Sequence, residues 1–124
     1  MTQESTLVRS DGIVRMRSVQ TMASDDWRAA IALRGELDIA NSDELRAELA
    51  GHLAAGRRVI RVDVGALEFM DSTALGELVS ASERCIAEQG SLILTHVPGR
   101  LKRLIDLADL SHVLLVDTAG DDAN

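Results

Sequence analysis

The residue best placed for chemistry in this sequence is a serine at a helix start. In the segment VDVGALEFMDSTALGEL, Ser72 falls where a strand-to-helix connection meets the first helical turn. A phosphate on that hydroxyl would carry about −1.5 to −2 charge, beside unsatisfied backbone N–H groups and at the positive end of the helix dipole. A helix start can hold such a group without refolding. The structural alternative is a serine that caps its helix, which any serine at such a position can do. Asp71 either orients Ser72 for a modifying enzyme or is a solvent-facing carboxylate at a helix start. Gly76 costs the helix about 1 kcal/mol relative to Ala; it either lets another backbone come close or packs the helix on a sheet.

Other chemistry finds little support. The chain has no G-x-x-x-x-G-K-[ST] loop, G-x-G-x-x-G turn, H-E-x-x-H pair or G-x-S-x-G elbow, and these absences count against an enzyme. His52, His96 and His112 are far apart in sequence and read as structural, so no metal or other cofactor is implied. An aspartyl phospho-acceptor would need a paired acidic cluster at a strand end and a late lysine. Asp25 and Asp26 instead precede a strand, and Lys102 lies within a helix. A lone Cys85 excludes an intrachain disulfide and reads as a small buried residue on a helix.

The elements that must hold Ser72 follow from periodicity. Thr21 to Asp26 reads as a loop, after an earlier strand near Ile13 to Val19. Trp27, Ala29, Ile31 and Leu33 then alternate as one face of a strand. Asn41 can cap a helix over residues 42 to 55, with Glu44 reaching back, Leu45, Leu49 and Leu53 on one face and Gly56 at the stop. Val59, Ile60, Val62 and Val64 form a nearly continuous apolar run, as in a central strand, with Asp63 near a strand end. From the Asp71-Ser72 corner, Leu75, Leu78, Val79, Ser82, Cys85 and Ile86 line one helical face up to Gly90. Leu92 to Val97 make a strand, Pro98 starts a short helix carrying Leu101, Leu104 and Ile105, and Val113 to Val116 make a last strand. Strands alternating with helices predict an α/β domain with a partly parallel sheet. Leu45, Leu49, Val62, Leu78, Ile86 and Leu94 are expected to be buried and Ser72 exposed.

Composition agrees with one small domain. A chain of 124 residues with 46% hydrophobic content can fill one core, and Trp27 and Phe69 are its only aromatics, so aliphatic packing between helices and a sheet is favoured. The formal charge of −7 disfavours nucleic acid as a partner, since phosphate neutralisation needs clustered Lys and Arg. No apolar run approaches the roughly 18 residues of a membrane span, and the polar start lacks the regions of a signal peptide. A cytoplasmic protein without direct membrane insertion is expected.

With these segments in place, the chain resembles the STAS family, specifically the single-domain bacterial anti-sigma factor antagonists, from about Ile13 to Val116. The family's D-[ST]-[ST]-G-L-G corner reads here Asp71, Ser72, Thr73, Ala74, Leu75, Gly76. Upstream lie Asp63, Val64 and Gly65, and Gly35-Glu36-Leu37-Asp38 matches the family's G-E-L-D before its first helix. Downstream, Pro98 through Leu110 is similar, but the family's T-G-L reads Ala108, Asp109, Leu110. Ala74 replaces a glycine, and the family's final helix is not expected, because only Thr118 to Asn124 follow the last strand.

The resemblance implies a single STAS-like domain over 1–124, its core about 13–116 with short polar tails, built as a mixed sheet with helices packed mainly on one face. It also implies partner switching in transcription regulation. Unphosphorylated, the protein binds an anti-sigma factor with serine kinase activity and so releases a sigma factor; phosphorylation at Ser72 dissociates it, and a serine/threonine phosphatase restores binding. The implied partner surface comprises Asp38, Asn41, Ser42, Asp71, Ser72, Thr73, Ala74, Leu75 and Gly76. The alternative within the family is a STAS subunit of a lipid-transport ATPase, or a stress-signalling scaffold, with no switch at Ser72.

Overall fold

The computed structural model describes residues 7–10, 13–16 and 18–117. The elements run β1 (Leu7–Ser10), β2 (Ile13–Met16), β3 (Val19–Ser24), β4 (Arg28–Leu37), α1 (Ser42–Ala54), β5 (Val59–Met70), α2 (Ser72–Ala87), β6 (Ser91–Thr95), α3 (Gly99–Leu107) and β7 (Leu115–Asp117). β1 and β2 form an antiparallel pair. The other strands make a mixed sheet in the order β3-β4-β5-β6-β7, antiparallel between β3 and β4 and parallel elsewhere. Residues 1–6 and 118–124, which include most of the predicted tails, lie outside the described residues.

One sheet face is aliphatic. Ala29, Ile31 and Leu33 of β4, Ile60, Val62 and Val64 of β5, and Leu92 and Leu94 of β6 are buried there, joined by Leu45, Leu49, Leu78, Leu101 and Ile105 from the three helices. Burying such stripes from every helix against one sheet is what drives the chain into an α/β fold.

Several elements differ from their sequence-based expectation. The loop expected over Thr21 to Asp26 is mostly strand β3, because residues Val19 to Ser24 pair along β4 around a bulge at Met22. As an edge strand with only Val19 buried, it shows no apolar alternation. Trp27 precedes β4 and is 47% exposed, with Arg28 stacked 4.7 Å from its ring centre. Ile86 is 51% exposed: the buried stripe of α2 runs Ala74, Leu75, Leu78, Ala81, Ser82, Cys85, and Ile86 turns away from it near the helix end. The last strand is Leu115–Asp117, while Val113 and the buried Leu114 lie in a turn bonded back to Leu110 O. Asp63 sits inside β5, at the end of its ladder with β6.

Each helix ends in a pair of back-bonds around a residue in the left-handed region, the Schellman arrangement. Gly56 at φ +91 serves α1, as expected. For α2 the residue is Gln89 at φ 66, and for α3 it is Asp109 at φ 59. The altered Ala108-Asp109-Leu110 end therefore keeps a left-handed helix stop, with an aspartate where a glycine is less strained. Asp109→Gly is expected to raise stability by up to about 1 kcal/mol, read as an increased midpoint in urea denaturation.

Two predicted structural residues are buried. His52 accepts at Nδ1 from Arg57 Nη1 at 3.0 Å, while Nε2 faces Thr21 Oγ1 at 3.0 Å. Thr21 also bonds Glu48, tying β3 to α1. Cys85 is fully buried, and burial pushes its thiol up, so reactive thiolate is scarce.

Candidate functional site

The site is made by two parallel strands that end together. β4 and β5 stay paired to Leu37↔Met70, and the Asp71 amide donates to Leu37 O at 3.0 Å, so the residues after each strand become neighbours. After β4 the chain turns through Asp38 to Asn41; after β5 it turns at once into α2.

Asp71 joins the two turns. Its Oδ1 accepts from the Ala74 amide at 3.0 Å, which caps α2, and its Oδ2 accepts from the Ile39 amide at 3.0 Å across the site. Asp71 is therefore the N-cap, and Ser72 is the first helical residue, one place beyond the expected cap. The physical reason is reach: a carboxylate has two oxygens, and only from position 71 do they serve both turns. Ser72 is exposed, and its hydroxyl has no partner among the described residues.

The first turn is braced from within. Asp38 Oδ1 accepts from the Ala40 amide at 2.9 Å, Asn41 Oδ1 accepts from the Asp38 amide at 2.9 Å, and Asn41 Nδ2 donates to Glu36 O at 2.9 Å. Asn41 thus spends its side chain on the strand end and forms no side-chain cap of α1, contrary to the capping box expected with Glu44. The Asp38 carbonyl accepts the Ser42 amide at 2.8 Å.

Among the predicted surface residues, Ser72 and Gly76 are exposed, and Asp38, Asn41, Asp71 and Thr73 are half-buried. Ser42, Ala74 and Leu75 are buried, so their side chains face the core. One apolar residue missed in the sequence lies open in the first turn, Ile39 at 76% exposed; Phe69, 51% exposed, alternates with buried Met70 and faces the other side of the sheet. The signal for Ile39 was an isoleucine in the otherwise small and polar turn D-I-A-N.

Gly76 stands one helical turn from Ser72 on the same face. A Cβ built there meets nothing within 4 Å, and the residue is not in the left-handed region, so neither packing on the sheet nor backbone conformation requires glycine. A groove of about 1090 Å³ lies elsewhere, among Gln20, Arg34, Asp63, His96 and Lys102, and includes no residue from Asp71 to Gly76. Among the described residues no group of His, Cys, Asp and Glu is placed to hold a metal ion, and no helix is long and apolar enough to cross a membrane.

Removing the Asp71 carboxylate should loosen both turns. Asp71→Ala is expected to cost about 1–3 kcal/mol, from the lost cap and the unpaired Ile39 amide. Urea denaturation measures the loss; a change under about 0.5 kcal/mol would contradict the bridging role.

A mixed sheet with helices on one face and a serine at the start of the helix after its central strand define the class. The family described as "Mlab, STAS domain" matches residues 21–117. The anti-sigma-B factor antagonist of Bacillus subtilis is 31% identical over 91 residues, covering 73% of this chain and 83% of its own. The anti-sigma-B factor antagonist of Listeria monocytogenes is 26% identical over 107 residues, covering 86% of this chain and 94% of its own. The solved structure of the unphosphorylated anti-sigma factor antagonist SpoIIAA matches with a TM-score of 0.70 and 21% identity, over 85% of this chain and 92% of that one. The phosphorylated form of the Bacillus cell fate determinant SpoIIAA matches at 0.66, again 21% identical, over 85% of this chain and 96% of that one. The chain belongs to the STAS domain family, within its anti-sigma factor antagonists.

Proposed function

We propose that this protein is an anti-sigma factor antagonist whose binding is switched by phosphorylation of Ser72. The observation that carries the reading is the division of labour between Asp71 and Ser72: Asp71 does the capping, and the serine hydroxyl is left exposed at a helix start with no partner among the described residues. Unmodified, the protein binds an anti-sigma factor that is also a serine kinase, and a sigma factor is released. The kinase places a phosphate on Ser72, the complex dissociates, and a serine/threonine phosphatase restores binding.

The surface around Ser72 suits a protein partner. Ile39 offers apolar area, and the open side of Gly76 admits a close backbone. A dianion added at its centre would have to be desolvated against the partner's acidic or apolar surface. The protein acts in the cytoplasm by binding and has no turnover of its own; ATP and the purified chain alone should yield no phosphoserine.

Gly76→Ala separates stability from binding. It is expected to stabilise the isolated fold by about 0.5–1 kcal/mol, because the helix gains an alanine in open space. Partner affinity should fall by about fivefold or more if the partner occupies that space. Thermal melts and titration against the partner recovered by affinity capture test the two halves. A Gly76→Ala protein that is more stable and binds equally well would exclude Gly76 from the interface. A constant subunit of a larger assembly, with no switch at Ser72, would use the same surface and show one affinity whatever the state of the serine.

A further inference from the structure

β5 outruns its neighbour. Its ladder with β6 closes at Asp63↔Thr95, whereas its ladder with β4 continues to Leu37↔Met70, so among the described residues the stretch from Val64 to Met70 has a strand on one side only. On the other side the carbonyls of Leu67 and Glu68 accept from one guanidinium, Arg100 Nη2, at 2.8 and 3.0 Å. Arg100 stands in the first turn of α3, which holds no acidic residue and has no side-chain cap. A cation there meets the positive end of the helix dipole, so the helix gains nothing from it. The two carbonyls account for its presence, since a planar guanidinium can satisfy acceptors that a missing strand would otherwise pair.

We infer that Arg100 is a positioning residue for Ser72. By clamping the overhang at Leu67 and Glu68, it fixes the strand end that delivers Asp71, and so keeps the Asp71 carboxylate within reach of the Ile39 and Ala74 amides. α3, which contributes no residue to the corner, thereby sets how Ser72 and the Asp38 to Asn41 turn are presented together. The functional weight of this rests on Ser72 being the switch; the geometry does not.

Amide hydrogen exchange followed by NMR on the full chain tests the clamp. In Arg100→Ala the Ile39 and Asp71 amides should exchange about tenfold faster or more, the effect of losing charge-assisted hydrogen bonds. The Ile60 and Val62 amides should keep their rates. Arg100→Lys retains the charge with a single nitrogen and should recover part of the protection, whereas Lys102→Ala, further along α3, should change neither reporter. Unchanged Ile39 and Asp71 rates in Arg100→Ala would overturn the inference. So would an equal acceleration at Ile60 and Val62, which would mean general loosening. Equal partner affinity of phosphorylated and unmodified protein would remove the switch but leave these rates as they are, so the two failures are distinct.

Discussion

Ser72→Asp is expected to bind the anti-sigma partner about tenfold more weakly than the unmodified protein, while Ser72→Ala binds within about threefold of it. The two substitutions differ in one respect that matters. Because Asp71 is the cap and the Ser72 hydroxyl has no partner among the described residues, neither removes a hydrogen bond. Both variants should therefore fold with stabilities within about 0.5 kcal/mol of the starting protein. Alanine leaves the surface neutral and cannot accept phosphate. Aspartate places a charge on a surface that also carries the exposed Ile39 and the open side of Gly76. It carries less charge and fewer oxygens than phosphoserine, so its effect should be the smaller one. Titration of the two variants and their thermal melts check this. A weakened Ser72→Ala would make the hydroxyl itself the contact and not the site of a switch.

Gly90→Ala should be the most damaging of the small substitutions to the fold. A Cβ at Gly90 would lie 1.9 Å from the Arg58 carbonyl oxygen and 2.6 Å from its carbon, both backbone atoms that cannot rotate away. The same place carries the Gly90 amide bond to Cys85 O at 2.7 Å, which closes α2, and the Ser91 amide bond to Arg58 O at 2.9 Å, which opens the β5–β6 ladder. Relief requires the helix end or the ladder to separate. The cost should be about 3 kcal/mol or more, a large part of the roughly 5–15 kcal/mol that holds a domain of this kind. A fall of roughly 10 °C or more in the melting temperature is expected. A melting temperature within a few degrees of the original would show that the contact relaxes freely.

Gly76 and Gly90 mark where sequence reasoning reached and where it stopped. Gly90 was legible as the limit of a helix, but its reason is tertiary: the left-handed stop belongs to Gln89, and Gly90 is small because Arg58 passes beside it. Gly76 had two readings of equal merit until its surroundings proved empty. The corner itself was readable, since an apolar strand, a carboxylate, a serine and a 3.6-residue stripe from Leu75 onward each point to the same strand-to-helix joint. Which of Asp71 and Ser72 caps the helix was not, because both residue types cap well. That choice is made by Ile39, 32 positions away in the chain, whose amide occupies the second Asp71 oxygen. The overhang of β5 was hidden for a related reason. Beyond Asp63 it is paired and covered on one side, so Gly65, Ala66, Glu68 and Phe69 are exposed and break the apolar run. Edge strand β3 was lost in the same way.

The central claim is that a phosphate on Ser72, and nothing else, changes what the protein binds. Calorimetric titration of the captured anti-sigma factor kinase with unmodified protein, and with protein phosphorylated at Ser72 alone, measures it directly. The unmodified form should bind, the phosphorylated form should bind about a hundredfold more weakly or not measurably, a difference of about 2.7 kcal/mol or more, and phosphatase treatment should restore the first value. Equal affinity for the two forms would contradict the account and leave a constant, unswitched subunit in its place.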